Sequence, residues 1–401
     1  TGAAADHRIA VRPSALETVA AAVATVVAGD AAKGLTPEET LFVEALVADL
    51  KAGNAVVIPG DHTSDAVHHY AAVINNAIGA LGKHVFATAP VLADKSGSLA
   101  DVAKALDSGA VKTLVIVGGN PVYNAPVDVN FSDVLSKFTA DKTNEAIRLS
   151  LYEDETSILC NWHLPLSHEL ESWGDAVAFD GTVSLSQPLI KPLYSTKSEI
   201  EYLSEFLGKP VTGEDLVRET YGAITDAAWG QALARGIIRQ APAPIAFPPV
   251  TAAPAPKPAN TNGYDLQFRL DPTIHDGRYA NNAWLQELPK PVTTLVWDNA
   301  AMISTATAKR LGIIPQVGES DAVNIAQYKG RKMVELAVDG HVLKVAVWIL
   351  PGQPDETITL ALGYGRSHGG AVAKGRGFNS YKVRTTKNLY TATAEAKTIA
   401  E

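Results

Sequence analysis

The sequence predicts an α/β protein whose N-terminal part contains a parallel sheet and whose C-terminal part is a small β-barrel. Three observations support this: helix signals alternate with short all-apolar runs through the first 240 residues, a proline-rich segment follows at 241–260, and strand-like runs dominate the rest. Apolar strands between helices are typical of a parallel sheet that is covered on both faces. The length of 401 residues allows two or three domains, at about 150 residues each.

Helix starts in the N-terminal part are marked by capping residues. Ser14 and Glu17 have the spacing of a capping box, and so do Ser198 and Glu201. Thr36 is followed by a proline, which is favoured at the first helical position. We therefore expect helices to begin at these points and after Ser64 and Ser98, to end near Gly53, Gly82, Gly109 and Gly208, and to fill 213–240 with two more.

Short apolar runs at 55–58, 84–87 and 114–117 predict strands between these helices. A helix, a glycine stop, an apolar run and a glycine turn occur in this order twice, at 37–60 and at 98–121. Such a repeat is typical of alternating helices and parallel strands.

A change of composition marks the end of the first part. Seven of the twenty residues from 241 to 260 are proline, and Lys257 carries the segment's one charge. Such a segment favours an extended, polyproline-like connector. We therefore expect an α/β region at 1–240, a connector at 241–263 and a barrel domain at 264–401.

The C-terminal part consists mostly of strand-like runs interrupted by one short helix at 305–311. Because the inserted helix is single, we prefer a barrel to a sandwich. Asp339-Gly340 between two apolar runs predicts a hairpin with a primed turn. The expected strands are at 293–297, 321–327, 332–338, 342–350, 357–362 and 379–384.

Composition excludes several classes of function. The net charge is −9, so the chain is a poor candidate for binding nucleic acid. Its single cysteine, Cys160, excludes an internal disulfide and an iron–sulfur cluster held by this chain's own cysteines. No run of 18 apolar residues occurs, so we expect no transmembrane segment in this chain.

Two glycine-rich segments are candidate binding sites. Gly118, Gly119 and Asn120 follow an apolar strand, where paired glycines let the backbone approach a phosphate, although a tight turn leaving the sheet explains them as well. The segment 363–379 contains Arg366, which could clamp a phosphate or carboxylate together with Lys374 and Arg376. A flexible surface loop is the equally weighted alternative there. If this segment binds an anion, Arg366→Ala should weaken that binding and leave folding intact.

Other residue clusters carry weaker signals. Cys160, His163, His168 and Glu169 mix metal-ligating types, but their spacing matches no zinc pattern, and an irregular polar segment after a strand explains them better. Trp162 and Trp173 could stack on a flat ring, but tryptophans more often plug an interface. No serine elbow, zinc-protease or kinase motif is present, so the residues alone predict a possible ligand cleft without visible catalytic machinery.

Several stretches, taken in order over residues 45–385, resemble the large subunits of molybdopterin oxidoreductases. In the first part they are the strand and turn ending in Gly118-Gly119-Asn120-Pro121, the segment 149–156, and Leu164-Pro165 with Glu169. Further matches lie at Asp180-Gly181-Thr182, Ala300, 311–313, 321–323, Gly340, 351–352 and 362–366.

The resemblance implies Rossmann-like parallel-sheet layers followed by a double-psi-like β-barrel. It also implies a cleft that holds a pyranopterin dinucleotide in active relatives, at positions matched here by Gly118, Gly119, Asn120, Gly363, Gly365, Arg366 and Asn379. The chain departs from the family at His163 and at Tyr152-Glu153-Asp154, which replaces an apolar entry. It also has neither the cysteine motif of the catalytic subunits nor a recognisable region that supplies a molybdenum ligand. We therefore expect no cofactor in this chain, with a bound molybdopterin dinucleotide as the alternative.

Residues 6–8, 151–156 and 161–165 are most similar to the molybdopterin-like part of the iron–sulfur subunits of alternative complex III. That resemblance implies a non-catalytic scaffold module in a respiratory quinol-oxidising complex, on the periplasmic side of the membrane. Its partners would be a ferredoxin-like iron–sulfur domain and haem c subunits. Two alternatives stay open: a fragment of an active molybdopterin oxidoreductase, and a stand-alone protein that binds a nucleotide-like ligand.

Overall fold

A three-stranded parallel sheet forms the centre of the N-terminal part. The computed structural model describes residues 2–91, 97–260, 262–314 and 333–399. Strands β1 (Thr113–Val117), β2 (Glu145–Ser150) and β3 (Trp162–Pro165) lie in that order and are all parallel. The expected parallel sheet is confirmed, and the carboxyl ends of its strands share one edge.

One face of this sheet is covered by helices α4 (Leu99–Asp107) and α6 (Phe131–Ala140). The other face leaves Val115, Val117 and Trp162 exposed, Trp162 to 56%. The expectation of cover on both faces is therefore wrong for the described part of the chain, because the helices within residues 16–77 pack elsewhere.

Those earlier helices form a layer of their own. Helices α1 (Leu16–Ala28), α2 (Pro37–Ala52) and α3 (Asp65–Ala77) bury Val23, Val43, Val47, Leu50 and Ile74 between them. The capping box at Thr36 and the helix end at Gly53 are confirmed.

The capping box predicted at Ser14 and Glu17 is wrong. Ser14 lies in a 3-10 turn before α1, and no side chain caps that helix. The Ser14 N–H donates to Asp265 at 2.8 Å, while Glu17 accepts from the Lys257 N–H at 2.9 Å. Arg12 in the same segment contacts Asp265 at 3.1 Å and pairs with Glu356. The polar groups that could cap α1 are thus used in contacts with the C-terminal part.

Two predicted strands are absent. Residues 55–58 form no strand because the Asn75 side chain bonds both the N–H and the C=O of Val57, each at 2.8 Å. Residues 84–87 make only isolated bridges, at Val85 and Ala87. The repeat predicted at 37–60 and 98–121 therefore holds only in its second copy.

A small antiparallel sheet and three helices complete the N-terminal part. The sheet contains β4 (Gly174–Val177), β5 (Val183–Ser186) and β6 (Ile237–Arg239). The predicted helices are confirmed as α7 (Glu199–Phe206), α8 (Gly213–Thr220) and α9 (Asp226–Arg235), and a short α5 (Pro121–Asn124) follows β1. Trp173 stacks on Trp229 with ring centroids 6.3 Å apart, so this tryptophan packs inside the chain.

The segment 241–260 contains no helix or strand. It touches the N-terminal layer through a bridge between Ile245 and Ala87 and a hydrogen bond from the Tyr70 hydroxyl to the Pro254 carbonyl.

The C-terminal part is a closed six-stranded barrel, as expected. Its core includes Leu266, Leu336, Val345, Ile358 and Leu360. The barrel order is β10-β8-β11-β7-β12-β9. The strands are β7 (Tyr264–Arg269), β8 (Ala301–Ile303), β9 (Met333–Val338), β10 (His341–Ile349), β11 (Thr357–Ala361) and β12 (Thr391–Ile399), and the helices are α10 (Ala283–Glu287) and α11 (Thr305–Arg310).

The Asp339-Gly340 hairpin is confirmed, because both residues have positive φ and join the antiparallel β9 and β10. Residues 293–297 are not a strand, since Thr294 and Trp297 have positive φ. Residues 379–384 are not a strand: a 3-10 helix spans Ser380–Val383, and the Asn379 side chain caps it by accepting from the Tyr381 N–H. The predicted strand at 321–327 lies outside the described residues, and β7 and β12 were not predicted.

Candidate functional site

The candidate site is a cleft between the carboxyl edge of the parallel sheet and the barrel loop at 363–379. The turn at Gly118 follows β1, the segment 151–156 follows β2, and Arg366 comes from the barrel. The remaining cavity has a volume of about 260 Å³. Ligands of open α/β sheets collect at such strand ends.

The glycine turn after β1 is held by an arginine beneath it. Gly118 and Gly119 have φ of +59° and +56°, the left-handed region that glycine adopts without strain. Their carbonyl oxygens accept hydrogen bonds from the guanidinium of Arg148, which lies in β2 and is 1% exposed. Arg148 also pairs with Asp154 at 2.7 Å. The turn's carbonyl oxygens are thus bound by the protein itself.

Asn120 belongs to a second buried cluster, centred on Glu155. The Glu155 carboxylate accepts from Asn120 Nδ2 at 2.8 Å and from Arg366 Nη2 at 2.8 Å. It also accepts from the backbone N–H groups of Ser367 at 2.8 Å and His368 at 3.0 Å. Glu155 and Arg366 are both buried. The sheet edge and the barrel loop are therefore joined by one carboxylate.

Each of the three guanidinium nitrogens of Arg366 already has a partner within the chain. Its Nε and Nη2 donate to Glu155, and its Nη1 donates to the Gly277 carbonyl at 2.7 Å. The guanidinium lies over the Tyr123 ring, 4.6 Å from the centroid. The expectation that Arg366→Ala leaves folding intact does not follow from this geometry, because that change strands a buried carboxylate.

The other predicted residues support the cleft through backbone packing. A Cβ on Gly365, which has φ of +72°, would lie 2.2 Å from the Asn379 N atom, and one on Gly363 would lie 2.8 Å from the His275 carbonyl. Asn379 Nδ2 donates to the Tyr123 carbonyl at 3.5 Å. None of these three residues lines the cleft, but Gly363 and Asn379 pack against its lining residues Gly277 and Tyr123.

Lys374 and Arg376 lie outside the cleft. Both are exposed, and Arg376 lies over the ring of Trp297 at 5.1 Å. The structure therefore brings Arg366 alone of the three predicted basic residues to the candidate site.

The environment of Glu155 favours its charged form. Burial alone would raise the pKa of this carboxyl, but the hydrogen bonds and charge of Arg366, together with the His368 N–H and the Asn120 amide, lower the pKa from 4.5 to about 2. Glu155 is thus ionised at any physiological pH.

This shift predicts a pH-dependent contribution to stability. A carboxyl with a lowered folded-state pKa stabilises the fold above its unfolded pKa of 4.5 and loses that contribution as the pH falls through about 2. Wild type should therefore exceed Glu155→Gln in free energy of unfolding by about 3 kcal/mol or more near neutrality, with a gap that shrinks on acidification. Urea unfolding of both proteins at a series of pH values measures it. Asp276, whose pKa is also lowered to about 2, is present in both proteins, so its contribution cancels in the difference between their free energies of unfolding. A gap that does not change with pH would contradict the assignment.

Cys160, His163, His168 and Glu169, the residues of metal-ligating types singled out in the sequence, are not gathered into one cluster. Among the described residues, no group of three His, Cys, Asp or Glu side chains could hold a metal ion. His163 lies on β3, not on an irregular segment, and its Nε2 is 3.2 Å from the Ser150 hydroxyl. Burial raises the pKa of Cys160 to about 11, so this thiol is protonated at neutral pH.

Sequence reasoning missed the charged residues that fill the cleft: Arg148, Asp154 and Glu155. Arg148 carried a usable signal, because it is the one charge within the apolar run 146–149 and a charge in a buried strand needs a partner. Glu155 carried none, since its partner Arg366 lies 211 residues away.

Comparisons with known proteins agree with this architecture. The molybdopterin-binding-like subunit of menaquinone reductase from Nitratidesulfovibrio vulgaris is 25% identical over 302 residues, which is 69% of this chain and 40% of that protein. The structure of acetylene hydratase from Pelobacter acetylenicus aligns with a TM-score of 0.52 and 16% identity, over 74% of this chain and 46% of its own. The chain is thus similar in sequence to a molybdopterin-binding-like subunit, and it shares its fold with acetylene hydratase.

The chain spans less than half the length of either relative. No protein-family model matches it. None of the helices within the described ranges is both long and apolar enough to cross a lipid bilayer.

The described cleft does not fit a pyranopterin dinucleotide, which joins a pterin to a nucleotide through a pyrophosphate. Its volume of about 260 Å³ is below the roughly 300–1,000 Å³ typical of pockets for drug-sized ligands. The arginines that line the cleft, and Asn120, already bind groups of this chain: Arg366 and Asn120 bind Glu155, Arg148 binds Asp154, and Arg278 binds Asp276.

Proposed function

We propose that this chain is a non-catalytic, molybdopterin-oxidoreductase-like scaffold module of a quinol- or quinone-linked electron-transfer complex, and that it holds no redox cofactor of its own. The observation that carries the proposal is the Glu155 carboxylate, which is bound by Arg366 and Asn120 in the cleft. A bound phosphate would have to displace this buried charge.

Two further observations support the proposal. The relative from Nitratidesulfovibrio vulgaris is described as a molybdopterin-binding-like subunit of a reductase. The chain's one cysteine, Cys160, has a raised pKa because it is buried, which disfavours the thiolate that a metal centre would need. We further propose partners of the kind found in alternative complex III, a ferredoxin-like iron–sulfur domain and haem c subunits, on the periplasmic side of the membrane.

The experiment is elemental and pterin analysis of the natural full-length protein, purified within its complex from native membranes. We expect iron and covalently bound haem c in the complex, and neither molybdenum, tungsten nor pterin in stoichiometric amount. A molybdenum-containing oxidoreductase carried through the same preparation controls for loss of cofactor. Molybdenum or tungsten together with pterin, near one per chain, would overturn the cofactor-free proposal, and a complex without haem c or iron would overturn the proposed partners.

A further inference from the structure

The Glu155 carboxylate is surrounded by hydrogen-bond donors from two separate segments. Asn120 Nδ2 comes from the turn after β1, Arg366 comes from the barrel, and the N–H groups of Ser367 and His368 follow Arg366 in the chain. The Ser367 hydroxyl lies 3.5 Å from the same carboxylate oxygen that accepts from the two N–H groups.

This donor set has the composition of an oxyanion-binding site. Successive backbone N–H groups form a concave anion cradle, and an arginine binds two oxygens of a carboxylate or phosphate at once. Arg366 donates to both oxygens of Glu155, and the N–H pair adds two further bonds to one of them. An ion pair on a protein surface would need fewer hydrogen-bond donors than these.

The position of this set in the fold is also that of a ligand site. It lies beyond the carboxyl ends of β1 and β2, where the ligands of open α/β sheets bind. Glu155 reaches it from the segment that follows β2, and its side chain is buried. The anion that these donors bind is thus a side chain of the same protein.

We infer that Glu155 is an internal anion that occupies an oxyanion-binding site built from Asn120, Arg366 and the N–H groups of Ser367 and His368. The carboxylate closes the cleft in place of a ligand and joins the sheet edge to the barrel. This inference rests on the proposed function, since a cofactor-binding cleft would leave these donors to the cofactor.

Removal of the internal carboxylate should open the site to a small external one. In the full chain, Glu155→Ala should lower the melting temperature by about 5–10 °C. Sodium formate should restore part of that loss, by about 2 °C or more relative to sodium chloride at equal ionic strength. Formate is the probe because it has the same carboxylate group and fits the volume that the truncation leaves.

Three further proteins, Glu153→Ala, Glu155→Gln and wild type, make the test specific. Glu153→Ala removes an exposed carboxylate two residues away and should show no formate-specific shift, like wild type. Glu155→Gln should be destabilised but not rescued, because its amide still fills the site. Equal formate effects in all four proteins, or rescue of Glu155→Gln as strong as that of Glu155→Ala, would overturn the inference.

If Glu155→Ala does not accumulate in folded form, refolding from urea in formate or in chloride provides the measurement. A higher folded yield in formate supports the inference, and equal yields contradict it. The two proposals fail separately: molybdenum and pterin in the natural protein defeat the proposed function, whereas absent rescue in a cofactor-free protein defeats only the internal anion.

Discussion

Arg366→Ala is expected to lower the free energy of unfolding by about 3–5 kcal/mol, the usual range for removing one partner of a buried ion pair. The change leaves the Glu155 carboxylate buried with its charge uncompensated, and it removes the donor to the Gly277 carbonyl. It also removes the cation that packs on the Tyr123 ring. Equilibrium urea unfolding of the full chain measures the loss.

Arg376→Ala is the matched control for this variant, because Arg376 is an arginine of the same loop but is exposed and packs only over Trp297. Its loss should cost about 0.5–1 kcal/mol, the value of an exposed cation–π contact. If Arg366→Ala costs no more than this control, the ion pair with Glu155 is not a structural element of the fold.

Arg148→Met is expected to have an effect of similar size, about 3–5 kcal/mol. Arg148 is nearly fully buried in β2, so the substitution strands Asp154 and deprives the Gly118 and Gly119 carbonyls of their donor. Asp154 keeps its bond from the Ser157 N–H at 2.9 Å but loses its counter-charge. Urea unfolding again gives the measurement.

The double variant Arg148→Met/Asp154→Asn tests the origin of that loss. Since asparagine keeps the acceptor oxygen and removes the stranded charge, the double variant should be more stable than Arg148→Met by about 1–2 kcal/mol. Arg239→Met, on the exposed end of β6, should stay within about 0.5 kcal/mol of wild type. A double variant less stable than Arg148→Met would show that the charge of Asp154 is not what the lost arginine balanced.

Local signals in the sequence were sufficient where the interactions are local. The capping residues Thr36 and Ser198 mark real helix starts, because the bonds that they make lie within one turn. The Asp339-Gly340 hairpin was predictable for the same reason. The prediction of a capping box at Ser14 failed because Asp265, which accepts from the Ser14 N–H, is 251 residues away.

Strand predictions failed where a side chain replaced a neighbouring strand. The run at 55–58 has the composition of a strand, but the Asn75 amide satisfies Val57 in place of a ladder. Strand β12 (Thr391–Ile399) was missed because it consists largely of threonine and alanine, which carry little apolar signal. Strand propensity depends on the type of a residue and does not say which group lies beside it in the fold.

Only part of the candidate site could be predicted from the sequence. The turn at Gly118 and the loop residue Arg366 were found from glycines and charge, and the structure places both at one cleft. What fills the cleft could not be predicted, since Glu155 and Arg366 come together only through the complete fold. In a single sequence, no pattern indicates that an acidic and a basic residue 211 positions apart form an ion pair.

The contacts of Arg12 with Asp265 and Glu356 have a consequence for how the chain is made. Arg12 is synthesised 344 residues before Glu356, its second acceptor. At about 5–20 residues per second, a ribosome needs roughly 20–70 s to cover that interval. Arg12 must therefore remain without this partner over that interval, and its segment can complete its docking onto the barrel only after Glu356 has been made.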